Sequence, residues 1–187
     1  MPFLSFGSKK DKIKKLIVEE RFDEILKSAT KDKKTFQALI ELLDEKTPGI
    51  IGDSLLILTN VLETNPELFR EYASGEFFKK LISLTEHRNP YVRENAMVLS
   101  YRIIQAFPQL VSKHRDWIVE TMKKTLHEGT KEQKGFLLVI AGELKLSELR
   151  EEIEELTTIE DKVILPFEGK KWVPLGEIAR ETLEKLP

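Results

Sequence analysis

Apolar residues recur along this chain at spacings of three and four, the period of an α-helix that buries one face. Between residues 33 and 44 the spacing predicts a helix, and Thr47-Pro48 then supplies a cap and a proline start for the next one. The same signals predict long helices over 48–63, 76–87, 90–107, 117–127, 131–144, 147–156 and 174–186, with shorter helical stretches over 9–29 and 66–72. The chain is therefore expected to be helical from end to end.

The helical pattern repeats with a period of 42 residues. Phe36, Leu39, Ile40 and Leu42 recur as Phe78, Leu81, Ile82 and Leu84, and Pro48 and Pro66 recur as Pro90 and Pro108. A fixed period near 40 residues is typical of helical units that bury their apolar stripes against neighbouring units. The repeat predicts an all-α fold, an α-solenoid in which antiparallel helix pairs stack into a superhelix.

One segment departs from the helical spacing. Residues 162–167 and 171–173 have strand character and flank a turn at 168–170, so we expect a small β-hairpin before the last helix. Its apolar residues are Val163, Leu165, Phe167, Trp172 and Val173. Because the last unit of a solenoid has no further unit to cover it, the hairpin is expected to be a cap.

Two stretches carry a resemblance to a known family. Leu81-x-x-Leu84 followed by Asn89-Pro90-Tyr91-Val92-Arg93-x-x-Ala96-x-x-Leu99 resembles the helix A, turn, helix B signature of HEAT repeats. The segments 140–144 and 175–180 are similar to the second helices of such repeats, and the likeness covers residues 32–187. It implies one HEAT/armadillo-like domain over 1–187, of the kind found in small archaeal-type HEAT-like proteins. Its approximate units would be 9–31, 32–64, 65–107, 108–144 and 145–187.

The charge balance bears on the partner. Lys and Arg number 30 against 32 Asp and Glu, which argues against the strongly basic surface of a dedicated nucleic-acid binder. Basic residues nevertheless exceed acidic ones over 9–34. A HEAT-like fold also occurs in DNA glycosylases, so nucleic-acid binding or processing through the basic N-terminal units and the groove stays the alternative function. The large charged fraction, mostly Lys and Glu, is typical of hyperthermophile proteins.

Catalytic and metal chemistry find little support in the sequence. The chain has no cysteine, which excludes disulfides and thiolate ligands and suits a reducing compartment. His87, His114 and His127 are too far apart to form a ligand pair on one helix turn, and no glycine-rich phosphate loop is present. We expect no metal, no cofactor and no enzyme activity.

The chain start does not have the pattern of a targeting signal. Residues 1–7 are apolar but too short for a signal-peptide core, and no stretch of about 18 apolar residues follows. The expectation is a cytoplasmic protein without a membrane partner. The apolar start is expected to fold back onto the first helix pair, the alternative being a weak interfacial anchor.

The candidate site lies on the second helices of the units. If Val92, Ala96 and Leu99 are buried, polar residues recur at one register on the opposite side of two successive helices. We expect a protein or peptide partner to dock on the concave face that they form, so that the chain acts as a non-enzymatic scaffold. The expected contact residues are Asp53, Asn60, Glu94, Asn95, Tyr101 and Arg102, with Tyr101 and Arg102 as anchors.

Overall fold

The computed structural model describes residues 7–73, 75–167, 169 and 171–187. It is predominantly helical, at 73% helix, and the described residues form a single two-stranded sheet, which confirms the expected all-α class. The helices are α1 Lys9–Val18, α2 Phe22–Ala29, α3 Lys33–Glu41, α4 Pro48–Thr64, α5 Glu76–Leu84, α6 Pro90–Ala106, α7 Pro108–Val111, α8 Arg115–Glu128, α9 Lys131–Glu143, α10 Arg150–Glu154 and α11 Leu175–Lys185. Short 3₁₀ turns occupy Leu42–Asp44, Pro66–Phe69, Ser112–His114 and Ser147–Leu149.

Capping residues set the starts of the longer helices. The Asn89 side chain accepts hydrogen bonds from the N–H groups of Tyr91 and Val92, at 2.9 and 3.4 Å, as expected for the start of α6. Thr130 forms a reciprocal capping box with Gln133 at the start of α9. The expected Thr47 cap is wrong, since its side chain makes no capping bond and the helix start depends on Pro48.

The long helices form pairs that follow one another. α3, α5, α8 and α10 each contact the helix that comes next among α4, α6, α9 and α11. Within the second set, α4 contacts α6, α6 contacts α9 and α9 contacts α11. The contact between α6 and α9 is the least extensive of these three. We call α4, α6, α9 and α11 the second-helix layer.

The core runs through all the pairs. Phe36 and Phe78, which are equivalent in the 42-residue repeat, are both buried, and Phe36 meets Phe69 edge-on with ring centroids 4.9 Å apart. Ala96 is fully buried as the pattern predicts. Leu84, expected at the same internal contact, is only half-buried because α5 ends there.

Ion pairs tie the first helix to the second pair. The Glu45 carboxylate accepts the ammonium groups of Lys10 and Lys14, each at 2.8 Å. Hydrogen bonding to Lys10, followed by that to Lys14, lowers the pKa of Glu45 to about 2. These contacts hold α1 against the chain just after α3.

The expected hairpin is present between α10 and α11. Strands β1 Lys162–Ile164 and β2 Trp172–Pro174 are antiparallel, with Val163 opposite Val173. β1 lies on α9, whereas the exposed side of α11 carries charged residues, among them Glu177, Arg180, Glu181 and Glu184. The hairpin thus covers apolar surface as predicted, but that surface belongs to α9 and not to the free side of the last pair.

Two expectations fall outside the described residues. The apolar start at 1–6 is one, and the hairpin turn positions 168 and 170 are the other. Within the described part of the chain, no helix combines the length and the apolar composition needed to cross a membrane.

Candidate functional site

One stripe of α4 and the matching stripe of α6 remain accessible. α4 is apolar over most of its circumference because α1, α2, α3 and α6 all contact it, so few of its positions reach the surface. We call the accessible positions the open face. It comprises Asp53, Leu56, Asn60 and Glu63 on α4, and Glu94, Asn95, Val98, Arg102 and Gln105 on α6.

The centre of the open face is apolar. Leu56 is 41% exposed, an unusual state for leucine in the middle of a long helix. Val98 stands one 42-residue period later and is half-buried. Both residues were missed from the sequence because only the polar positions of this stripe were considered. Applying the same period to the apolar residues would have identified them.

Tyr91 forms one end of the open face. Its hydroxyl donates a hydrogen bond to Asp53 at 2.7 Å, and its ring lies against Gly52, where a Cβ atom would overlap the ring. Burial, and next the hydrogen bond to Asp53, raise the pKa of Tyr91 to about 12. The side chain of Asn95 donates to the backbone carbonyl of Tyr91 at 2.8 Å. Two of the predicted contact residues, Asp53 and Asn95, thus hold Tyr91 in place.

Three other predicted residues, Asn60, Glu94 and Arg102, are exposed on the open face. Among the described residues none of their side chains has a hydrogen-bond or ion-pair partner. Elsewhere on the surface many charged groups are paired, as in Arg115–Glu148 at 2.6 Å. The open face therefore offers an amide, a carboxylate and a guanidinium whose hydrogen-bonding capacity is directed at solvent.

Tyr101, the other predicted anchor, lies at the boundary of the open face. Its ring stacks on that of Phe167 from the hairpin, with centroids 4.4 Å apart and planes inclined by 20°. Gln105 donates a hydrogen bond to the Tyr101 hydroxyl at 2.8 Å. Of the two expected anchors, only Arg102 projects from the face without an intramolecular contact of this kind.

The equivalent stripe of α9 is covered. Aligning the N-caps Asn89 and Thr130 places Gly135, Phe136 and Val139 of α9 at the positions that Glu94, Asn95 and Val98 hold on α6. All three α9 residues are buried.

The hairpin supplies this cover. A Cβ on Gly135 would lie 3.1 Å from Val163 Cγ2 and 3.3 Å from Leu165 Cδ2. The Phe167 ring meets that of Phe136 at 5.9 Å. The stripe that α4 and α6 leave open is therefore closed on α9 by the chain itself.

A second concavity lies between α5, α8 and α9. Phe78, Trp117 and Phe136 help to line an apolar gap of about 20 Å³, room for roughly one water molecule. Thr125 donates a hydrogen bond to Glu86 at 2.8 Å beside it. The gap is too small for a ligand, and the described residues contain no group of three or more His, Asp or Glu side chains placed to hold a metal.

Comparisons with known proteins give no independent identification. No protein-family model, curated protein or solved structure matches this chain. The likeness of its repeats to HEAT units therefore stays a prediction from the sequence. The functional argument depends on the geometry of the open face.

Proposed function

We propose that this chain is a protein-interaction module, a small HEAT-like α-solenoid that docks a partner protein on the open face of α4 and α6. The observation that carries the proposal is the apolar centre at Leu56 and Val98, bordered by the unpaired side chains of Asn60, Glu94 and Arg102. An apolar centre with a polar rim is the usual anatomy of a protein interface.

The packing of the helices supports the solenoid part of the proposal. Each helix pair contacts its neighbours in chain order through the second-helix layer, and the first helices of the pairs lie on the other side of that layer. Such an array presents one continuous surface built from the second helices. α4 and α6 contribute the stretch of this surface that the hairpin leaves open.

The chemistry of the open face favours binding over catalysis. A pKa of about 12 keeps the Tyr91 hydroxyl protonated at neutral pH, so it donates a hydrogen bond and does not act as a base. The Asp53 carboxylate already accepts that bond. The remaining groups of the face are suited to hydrogen bonds and apolar contacts with a partner chain.

Site-specific cross-linking in the full chain tests the proposal. A benzophenone amino acid placed at Asn60 should capture a partner from a lysate of the source cells, because this side chain is exposed at the centre of the face. The same probe at Glu151, exposed on α10, is the control. Leu56→Glu should abolish the Asn60 product, whereas Val18→Glu, at a valine that is 69% exposed on α1, should leave it intact.

Two outcomes would contradict docking on the open face. One is the same product from Asn60 and Glu151, which would indicate unspecific capture. The other is an Asn60 product whose yield does not change in the Leu56→Glu chain. Because a true anchor contributes about 2 kcal/mol or more, the loss of product should be large enough to detect without ambiguity.

A further inference from the structure

The hairpin contains an extended stretch with a regular alternation. Val163, Leu165 and Phe167 are two residues apart, so in an extended chain they project to one side. Val163 and Leu165 are buried against Gly135 of α9, with exposed fractions of 0% and 3%. The chain thus covers its own second-helix layer with alternate apolar side chains of an extended segment.

This stretch crosses the layer from one helix to the next. Val163 and Leu165 lie on α9, and Phe167 contacts both Phe136 of α9 and Tyr101 of α6. Beyond Phe167 the chain turns back into β2. The direction in which the stretch runs continues over α6 and then over α4, because these helices follow α9 in the layer.

The open face begins where the chain's own segment ends. Val98 and Leu56 occupy on α6 and α4 the position that the buried Val139 occupies on α9. An extended chain advances about 3.3 Å per residue, and packed helices lie about 8–10 Å apart. Two to three residues of an extended partner therefore span each helix, as the step from Leu165 to Phe167 does between α9 and α6.

We infer that the open face binds an extended segment of a partner protein whose apolar side chains stand at alternate positions and continue the line of Val163, Leu165 and Phe167. This inference rests on the proposed function and names the class of partner. Val98 and Leu56 contact the apolar side chains. Asn60 and Arg102 donate hydrogen bonds to the partner's backbone carbonyl groups.

The charges of the open face specify the flanks of that segment. Three carboxylates, on Asp53, Glu63 and Glu94, stand against the one guanidinium of Arg102. A partner with lysine or arginine beside its apolar positions is complementary to this excess. The chain's own segment has the same composition, since Lys162 precedes it and Lys171 precedes the returning strand.

A random peptide library tests the inference although the partner is unidentified. Phage displaying random 12-residue peptides are selected on the immobilised full chain, and the selected peptides are synthesised and titrated against three proteins: the parent, Leu56→Glu and Val18→Glu. We expect affinity to fall at least about thirty-fold on Leu56→Glu and to stay unchanged on Val18→Glu. Alanine scanning of each peptide should locate its apolar anchors two residues apart, with a basic residue beside them.

Separate outcomes overturn the inference and the proposed function. Peptides that depend on Leu56 but have anchors three and four residues apart bind as helices, which overturns the extended segment and leaves the docking surface standing. Peptides that bind equally to Leu56→Glu overturn the inference as well. The proposed function fails only when cross-linking at Asn60 also gives no product that depends on Leu56. If Leu56→Glu melts well below the parent, Arg102→Glu replaces it, since that side chain is exposed.

Discussion

The second-helix layer treats one register in two ways. Gly52 of α4 and Gly135 of α9 hold equivalent positions, and both leave room for a neighbouring group to approach the helix backbone. On α4 the neighbour is the ring of Tyr91, whose hydroxyl is fixed by Asp53. On α9 the neighbour is the hairpin, through Val163 and Leu165.

The two covers leave different surfaces behind. Tyr91 fills only the space above Gly52, and Leu56, one turn further along α4, remains 41% exposed. The hairpin spans the whole stripe of α9, so that Phe136 and Val139 become core residues. A position on a second helix is therefore a binding surface or a part of the core according to what the rest of the chain places over it.

Removing the hairpin is the largest expected perturbation of this comparison. Replacing 162–173 by a short Gly/Ser linker exposes Gly135, Phe136 and Val139, which turns the closed stripe into a second open one. Since burial of each large apolar side chain contributes about 1.5–3 kcal/mol, the loss of Val163, Leu165 and Phe167 should cost at least about 5 kcal/mol. Thermal unfolding and light scattering should detect a lower melting temperature and self-association through the exposed stripe.

The same idea has a milder test in case the deletion does not fold. The double variant Val163→Ala/Leu165→Ala keeps the hairpin backbone and should still lower the melting temperature. A deletion variant that stays monomeric and melts with the parent would mean that the hairpin does not cover α9 in solution.

The second prediction compares equivalent residues on the two helices. Phe136→Ala should cost about 3–5 kcal/mol, because this ring is fully buried and meets Phe167. Asn95→Ala removes one hydrogen bond to the carbonyl of Tyr91 in its own helix and should change stability by about 0.5 kcal/mol or less. Urea unfolding of both variants measures the difference. Equal costs would contradict the assignment of the two positions to core and surface.

Helix and hairpin positions were predictable because their signals are local. The spacing of apolar residues and the start residues Pro48, Asn89 and Thr130 specify where α4, α6 and α9 begin. The strand pattern likewise located β1 and β2 near the observed residues. These signals involve neighbours within a few positions in the chain, so the sequence alone reveals them.

The destination of the hairpin was not predictable from the same signals. An alternating apolar segment specifies that one side is buried, but it does not specify which helix buries it. The stack of Phe167 on Tyr101 joins residues far apart in the chain. For this reason Tyr101 was expected to be an exposed anchor, whereas it lies half-buried at the edge of the hairpin.

The candidate site was predicted in part. Asn60, Glu94 and Arg102 are exposed on one face as the register predicted. The role of Tyr91 could not be foreseen, because the space it fills arises only when α6 packs on Gly52 of α4. The repeat alone assigns no contact of this kind.

The last and smallest prediction concerns the cover over Gly52. Burial and the bond to Asp53 raise the pKa of Tyr91 from 10.0 to about 12. A raised pKa favours the protonated folded state, so its stabilising contribution is present below pH 10 and is lost as the pH rises toward 12. Asp53→Asn removes the carboxylate but not the burial, so the pKa of Tyr91 should fall only part of the way to 10.0. Tyrosinate absorbance measured from pH 8 to 13, with Tyr91→Phe to assign the late transition, should detect this shift. If the parent and Asp53→Asn titrate identically, Tyr91 is not held by Asp53, and the cover on α4 is as loose as an ordinary surface side chain.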